Sequence, residues 1–141
     1  TSGTFVHVGT LRVAALDAVA PLLQDAVVTG QDRDYVGLLA WPNLAACRAA
    51  FGLPADAPAE EIVALPALRE KIKAGLAAHN AKATGSAQRI ARIILMTEPP
   101  SIDGNEITDK GYVNQRATLD RRAALVERLY AEPPAADVIV I

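Results

Sequence analysis

The chain has 141 residues, 14 of them lysine or arginine and 16 aspartate or glutamate, for a formal net charge of −2. At 51% hydrophobic and 21% charged it is too apolar for a disordered chain, and no run approaches the roughly 20 apolar residues of a membrane-spanning helix. The near-balanced charge excludes a nucleic-acid binder that replaces counterions with a basic face, and a lone cysteine, Cys47, excludes an internal disulfide or a cysteine-rich zinc site and fits a reducing cytoplasm.

The sequence opens on Thr1-Ser2-Gly3 with no Met and no charged leader. It runs directly into Thr4-Phe5-Val6-His7-Val8, whose β-branched and aromatic residues predict a strand. That start predicts a fragment cut from a longer protein just after an inter-domain joint, with a processed N-terminus as the alternative. Thr10 is a candidate N-cap for a helix over Leu11–Ala20, which Pro21 ends. Ala26–Val28 and Tyr35–Trp41 predict two strands joined by the polar turn at Gly30–Asp34, an antiparallel hairpin that Pro42 stops. Asn43 caps a predicted helix over Leu44–Phe51, closed by Gly52, and residues 53–58 form a loop.

Ile62, Leu65, Leu68, Ile72 and Leu76 recur at helical spacing, predicting one helix from Ala59 to about Asn80. Ile90–Met96 is a further strand, stopped before Pro99-Pro100, and residues 101–111 are a polar loop. Leu119, Ala123, Val126 and Tyr130 mark a last helix over Leu119–Ala131, and Val138–Ile141 is an apolar tail, either disordered or an added strand. The fold class is therefore α+β: a small mixed β-sheet flanked by helices. No phosphate-binding glycine loop, nucleophile elbow or metal-ligand spacing occurs, and the two histidines, His7 and His79, have no acidic or cysteine partners nearby. No metal site is expected. By its residues alone the chain cannot run a complete reaction.

Three stretches carry a resemblance. Ser2-Gly3-Thr4-Phe5-Val6-His7-Val8-Gly9-Thr10-Leu11-Arg12 resembles the start of the small C-terminal, or lid, domain of adenylate-forming enzymes, which include acyl- and aryl-CoA synthetases, peptide-synthetase adenylation domains and luciferases. The stretch Asp25–Asn43, through Gly30-Gln31-Asp32-Arg33-Asp34-Tyr35, is similar to the feruloyl-CoA synthetase branch. So is Leu95–Arg116, through Ile102-Asp103-Gly104-Asn105-Glu106-Ile107-Thr108-Asp109-Lys110-Gly111-Tyr112. The similarity spans nearly all of residues 2–131, which implies a lid domain over 1–131 and a tail over 132–141.

The resemblance implies an ATP-dependent aryl-CoA ligase. ATP and an aryl acid give an acyl-adenylate and pyrophosphate; the CoA thiol then displaces AMP. A large N-terminal adenylation domain would bind most of the ATP, Mg2+ and the hydroxycinnamic acid, ferulate for example, while the small domain swings between the two half-reactions. The isolated chain is then expected to be folded and inactive. A ligase for another aromatic or fatty acid, or a non-catalytic interaction module on the same fold, is the alternative.

Within that resemblance Lys110 takes the place of the lysine that reaches the large-domain site during adenylation. A carboxylate attacking a polyanionic phosphate needs a mobile cation to bridge both, and an ammonium on a flexible stem suits that. Counting back from the last helix would instead place that lysine nearer Tyr112 or Asn114. Gly3 matches the glycine whose bare backbone lets the CoA pantetheine arm pass, and Arg12, Arg33 and Arg116 could meet CoA phosphates. Without the resemblance, Lys110 is a solvated loop lysine, Gly3 a turn glycine and the arginines surface charges. His7 has no catalytic role in this reading, and Cys47 and Trp41 read as packing residues.

Overall fold

The computed structural model describes residues 6–141. In chain order they form α1 (Val8–Ala18), β1 (Leu23–Thr29), β2 (Val36–Pro42), α2 (Leu44–Phe51), α3 (Ala59–Ala64), α4 (Pro66–Lys82), β3 (Ile90–Leu95), α5 (Gln115–Arg121), α6 (Ala123–Tyr130) and β4 (Val138–Val140). The strands make one sheet in the order β1-β2-β3-β4. β1 and β2 are an antiparallel hairpin, β2 and β3 run parallel, and β4 returns antiparallel to β3. A parallel step needs a long crossover, and α2, α3 and α4 supply it.

Alternation along the strands feeds two cores. Val36, Leu38 and Ala40 of β2 and Ile93 and Leu95 of β3 join one cluster, with Leu11, Ala15, Cys47, Ile62, Leu68, Ile72 and Leu76 from α1 to α4. Leu39 and Trp41, with Ile94 and Met96, join the other, under Leu129 of α6 and the half-buried Leu119 of α5. Burial on both faces explains why β2 and β3 read as continuous apolar runs. The fold is α+β with a small mixed sheet flanked by helices, as the sequence implied. Close contact on the second face depends on Gly37, where a Cβ would lie 2.6 Å from Leu129 Cδ2.

Three sequence expectations change, and one left open is decided. The expected strand at Thr4–Val8 lies partly outside the described residues; where it can be seen, Val8 opens α1 instead. Val8 extends the Leu11 and Ala15 stripe back by one turn and packs, half-buried, against the first core. The long helix from Ala59 is two helices, because Pro66 has no N–H to donate and holds Leu65 extended at φ −67°, ψ 118°. The last helix starts earlier, at Gln115 behind an Asn114 cap, and breaks at Arg122. Its buried positions are Thr118, Arg122 and Leu129 rather than Ala123 and Val126. The apolar tail adds a strand, with Ile139 pairing Ile93 and Val138 pairing Ile94. α2, by contrast, has the expected bounds, with the Asn43 side chain accepting from the Ala46 amide and Gly52 left-handed after it.

Candidate functional site

Past β3 the chain leaves the sheet, crosses the second face and rises into a small hairpin. Ile107 and Val113 form an antiparallel bridge. Above it the Thr108 amide donates to the Tyr112 carbonyl (2.9 Å), and the Gly111 amide donates to the Thr108 carbonyl (3.0 Å). The Tyr112 amide adds a bond to Thr108 Oγ1 at 3.0 Å. Asp109-Lys110-Gly111 is therefore a three-residue hairpin loop, and Gly111 at φ +86° takes the left-handed position that such loops reserve for glycine. Lys110 stands in the middle of that loop, exposed, and its side chain makes no hydrogen bond or ion pair with a described residue.

The base of the hairpin is held from inside the protein. Glu106 is fully buried, and Arg122 grips its carboxylate with two bonds, Nε to Oε2 at 2.7 Å and Nη2 to Oε1 at 2.9 Å. The remaining donors of Arg122 go to the carbonyls of Glu98 and Pro99, both at 3.0 Å, and to Met96 Sδ at 3.3 Å. Its guanidinium lies 5.4 Å from the centre of the Trp41 ring, and Trp41 Nε1 donates to the same Glu98 carbonyl at 3.0 Å. Glu106 Oε1 also accepts from the Ser101 amide at 2.9 Å. The Arg122 hydrogen bonds, helped by the Ser101 amide and by the charges of Arg122 and Arg121, hold the Glu106 carboxyl below the ordinary carboxylate range against the desolvation that pushes it up. Among the described residues no buried side-chain nitrogen or oxygen lacks a hydrogen-bond partner.

Behind the hairpin, Asn114 caps α5 through the Ala117 amide at 3.0 Å. Arg116 follows in the first turn of α5, 84% exposed, with only a long 3.9 Å contact to Asp120. It lines a groove of about 420 Å³ with Arg33, Gln115 and Val126. Arg12 sits on α1, on the other layer, and its Nε is 2.6 Å from Asp25 Oδ1. Gly3 lies outside the described residues. Thus Lys110 and Arg116 stand on the segment covering the second face, while Arg12 is engaged elsewhere.

The remaining singled-out residues hold no reacting set. Cys47 is buried, its Sγ 3.5 Å from the Leu22 carbonyl, and burial pushes its thiol up, away from thiolate chemistry. His7, exposed, occupies the N-cap position of α1 without a capping side-chain bond. A larger hollow of about 730 Å³, lined by His7, Leu11, His79 and Lys82, opens between α1 and the end of α4. Among the described residues no group of three or more His, Cys, Asp or Glu could hold a metal ion. No described helix is long and apolar enough to cross a membrane.

Glu106 and Arg122 escape the sequence reading. The signal was the position of Arg122, four residues from Thr118 and seven from Leu129 on the buried side of the helices. An arginine on such a stripe requires a buried acceptor.

The AMP-binding enzyme C-terminal domain family matches residues 12–133. Among solved structures, the chain is similar to the A domain of carboxylic acid reductase from Segniliparus rugosus in complex with AMP and a co-purified carboxylic acid. That likeness has a TM-score of 0.60 at 22% identity and covers 92% of this chain and 18% of that one. The A-PCP didomain of the carboxylic acid reductase from Segniliparus rugosus, in complex with AMP, is similar at the same TM-score of 0.60 and 22% identity, over 92% of this chain and 16% of that one. The likeness is one of fold, and the chain spans less than a fifth of either structure's length. No curated protein matches the sequence.

Proposed function

The chain belongs to the AMP-binding enzyme C-terminal domain family, and on that premise we propose that it is the lid of an acid-activating enzyme whose Lys110 serves adenylate formation. The observation that supports this reading is the exposed, unpaired ammonium at the tip of a hairpin whose base is anchored in the protein. In the adenylation step a carboxylate oxygen of the acid attacks the α-phosphorus of ATP, and the bond to pyrophosphate breaks. An ammonium brought to those oxygens offsets the charge that gathers there and keeps the reactants in line. A chain that offers a cation at the tip of a hairpin suits a role in which a large N-terminal domain supplies the ATP, Mg2+ and acid sites.

The second step in this reading is thioester formation. The CoA sulfur attacks the acyl carbonyl, AMP leaves, and an acyl-CoA results. Arg116 is free to meet a CoA phosphate, whereas Arg12 would first have to leave Asp25; Gly3 keeps its proposed place beside the pantetheine arm. The acid is a hydroxycinnamate such as ferulate, by the resemblance of residues 25–43 and 95–116 to feruloyl-CoA synthetases, and the site of action is the cytoplasm. A second reading is favoured by the likeness to a carboxylic acid reductase A domain bound to AMP and a carboxylic acid. It keeps the adenylate and directs the acyl group to reduction instead of CoA.

The test is an assay of the enzyme that carries this chain, given cinnamic, benzoic and fatty acids with ATP and Mg2+, with and without CoA. Acid-dependent AMP release and an acyl-CoA product are expected, fastest with hydroxycinnamates. AMP release without any acyl-CoA refutes the CoA step and leaves the reductase reading, which an aldehyde product on adding a hydride donor would support, and no AMP release with any acid refutes both.

A further inference from the structure

We infer that the buried Glu106–Arg122 pair is a positioning device for the Lys110 hairpin, so that adenylation depends on two residues that never meet substrate. The inference rests on the reading of Lys110 as the adenylation lysine. Its observations are independent of that reading. Across residues 97–114, the whole excursion between β3 and α5, Glu106 is the one buried residue. Ile107 and Val113 are half-buried, and Ile102 and Tyr112 are 63% and 70% exposed. Apart from Val113, which packs against the second core, apolar packing therefore does little to hold the hairpin.

The polar contacts converge on Glu106 instead. Its amide donates to the Ser101 carbonyl and its carbonyl accepts from the Asn114 amide, both at 2.8 Å, so the two ends of the excursion meet at this residue. Asn105, left-handed at φ +61°, turns the backbone just before it. The Arg122 fork then fixes the carboxylate in direction as well as distance, since two parallel bonds to a planar group leave little freedom to rotate. Arg122 is itself fixed by the Glu98 and Pro99 carbonyls at the start of the excursion. A buried ion pair is poor at stabilising a fold but good at specifying one arrangement. Here the arrangement specified is where the hairpin leaves the second face.

The consequence is kinetic. A reacting group misplaced by about 1 Å can lose about 10²-fold in rate. Glu106→Gln keeps the size of the side chain and removes the charge that Arg122 grips. In the enzyme that carries this chain, it should slow adenylate formation by about 10- to 10²-fold. Acyl transfer from supplied adenylate, which does not use Lys110, should stay within about twofold of wild type; a merely structural loss would lower both steps together. Adenylation within about twofold of wild type, or equal loss in both steps, overturns the inference.

Hydrogen exchange on the chain itself separates this inference from the role of Lys110. The amides of Ser101, Glu106 and Asn114 should exchange slowly in wild type and at least about tenfold faster in Glu106→Gln, with β2 and α4 amides unchanged. Unchanged exchange in a folded Glu106→Gln overturns the anchor whatever Lys110 does. Should that variant fail to fold, the wild type decides, and fast exchange of those three amides overturns the anchor. If Lys110→Ala leaves adenylation intact while the exchange result holds, the anchor stands as a structural fact and only its catalytic purpose falls.

Discussion

Gln115 pairs with Val28 as a neighbouring strand would. Its Oε1 accepts from the Val28 amide at 2.9 Å and its Nε2 donates to the Val28 carbonyl at 2.5 Å. β1 lies at the edge of the sheet, and a side-chain amide carries one acceptor and two donors, the set that an open strand edge needs. The first residue of α5 is thereby tied to β1, which holds the start of the helix just after the Lys110 hairpin.

That pairing makes Gln115→Glu more harmful than its size suggests. A carboxylate can accept from the Val28 amide but has nothing to donate to the Val28 carbonyl. Gln115→Glu and Gln115→Ala should each lower stability by about 1–2 kcal/mol at neutral pH. In urea unfolding the midpoint should fall with the slope unchanged; a midpoint equal to wild type would refute the role of the contact.

The Glu106 carboxyl sets an acid limit on the fold. Arg122 holds it below its ordinary range, so the unfolded chain takes up the proton first. The contribution is complete above the unfolded value of about 4.3 and is lost as pH falls from there through the folded value. Glu106→Leu alone should cost about 3–5 kcal/mol at neutral pH, because the buried Arg122 loses its close carboxylate and keeps only the exposed Glu98 carboxylate, 3.6 Å away, as a counter-charge. Combining it with Arg122→Met should restore most of that loss and remove this component of the acid sensitivity. Urea midpoints at neutral pH and near pH 3.5 check both statements, and a double variant as acid-sensitive as wild type would rule out Glu106 as the source.

How far the chain was readable without coordinates follows from which interactions are local. α2 was legible to the residue because a cap, an alanine-rich run and a closing glycine all lie within ten positions. The hairpin of β1 and β2 was legible from two apolar runs around a polar turn. The split at Pro66 was equally local, but five apolar residues at helical spacing outweighed one proline in the reading. The register of α5 and α6 failed for another reason. Leu119, Val126 and Tyr130 look like the buried stripe, yet the buried positions include Arg122, whose burial is compensated sixteen residues upstream. An ion pair between a polar loop and a helix leaves no periodic trace. At the site, Lys110 could be singled out from its loop and from the family likeness, whereas the residues that hold the loop could not.

Tyr130 joins α6 to the hairpin on the same face. Its hydroxyl donates to the Tyr35 carbonyl at 2.8 Å and lies 2.8 Å from Thr29 Oγ1, which is 4% exposed. Tyr130→Phe removes the shared oxygen and strands both partners, at a cost of about 1–3 kcal/mol. Thr29→Val should cost less, and the two losses should not add, because they delete one bond in common. A double-mutant cycle by urea unfolding measures the coupling, and strict additivity would contradict the bonded pair.

Lys110→Ala tests the chemistry with little risk to the fold. The side chain is exposed and unpaired, so stability should change by less than about 0.5 kcal/mol. In the enzyme that carries this chain, single-turnover adenylate formation should fall by about 10²- to 10³-fold, the usual loss when one charge-stabilising donor is removed. Acyl transfer to CoA from supplied adenylate should be nearly unchanged, since in the proposed reading the lid presents a different face for that step. Lys110→Arg should recover only part of the rate, because a planar fork does not replace a compact ammonium between two oxygens. Equal losses in both half-reactions would point to a misfolded lid, and no loss in either would refute Lys110 as the adenylation lysine.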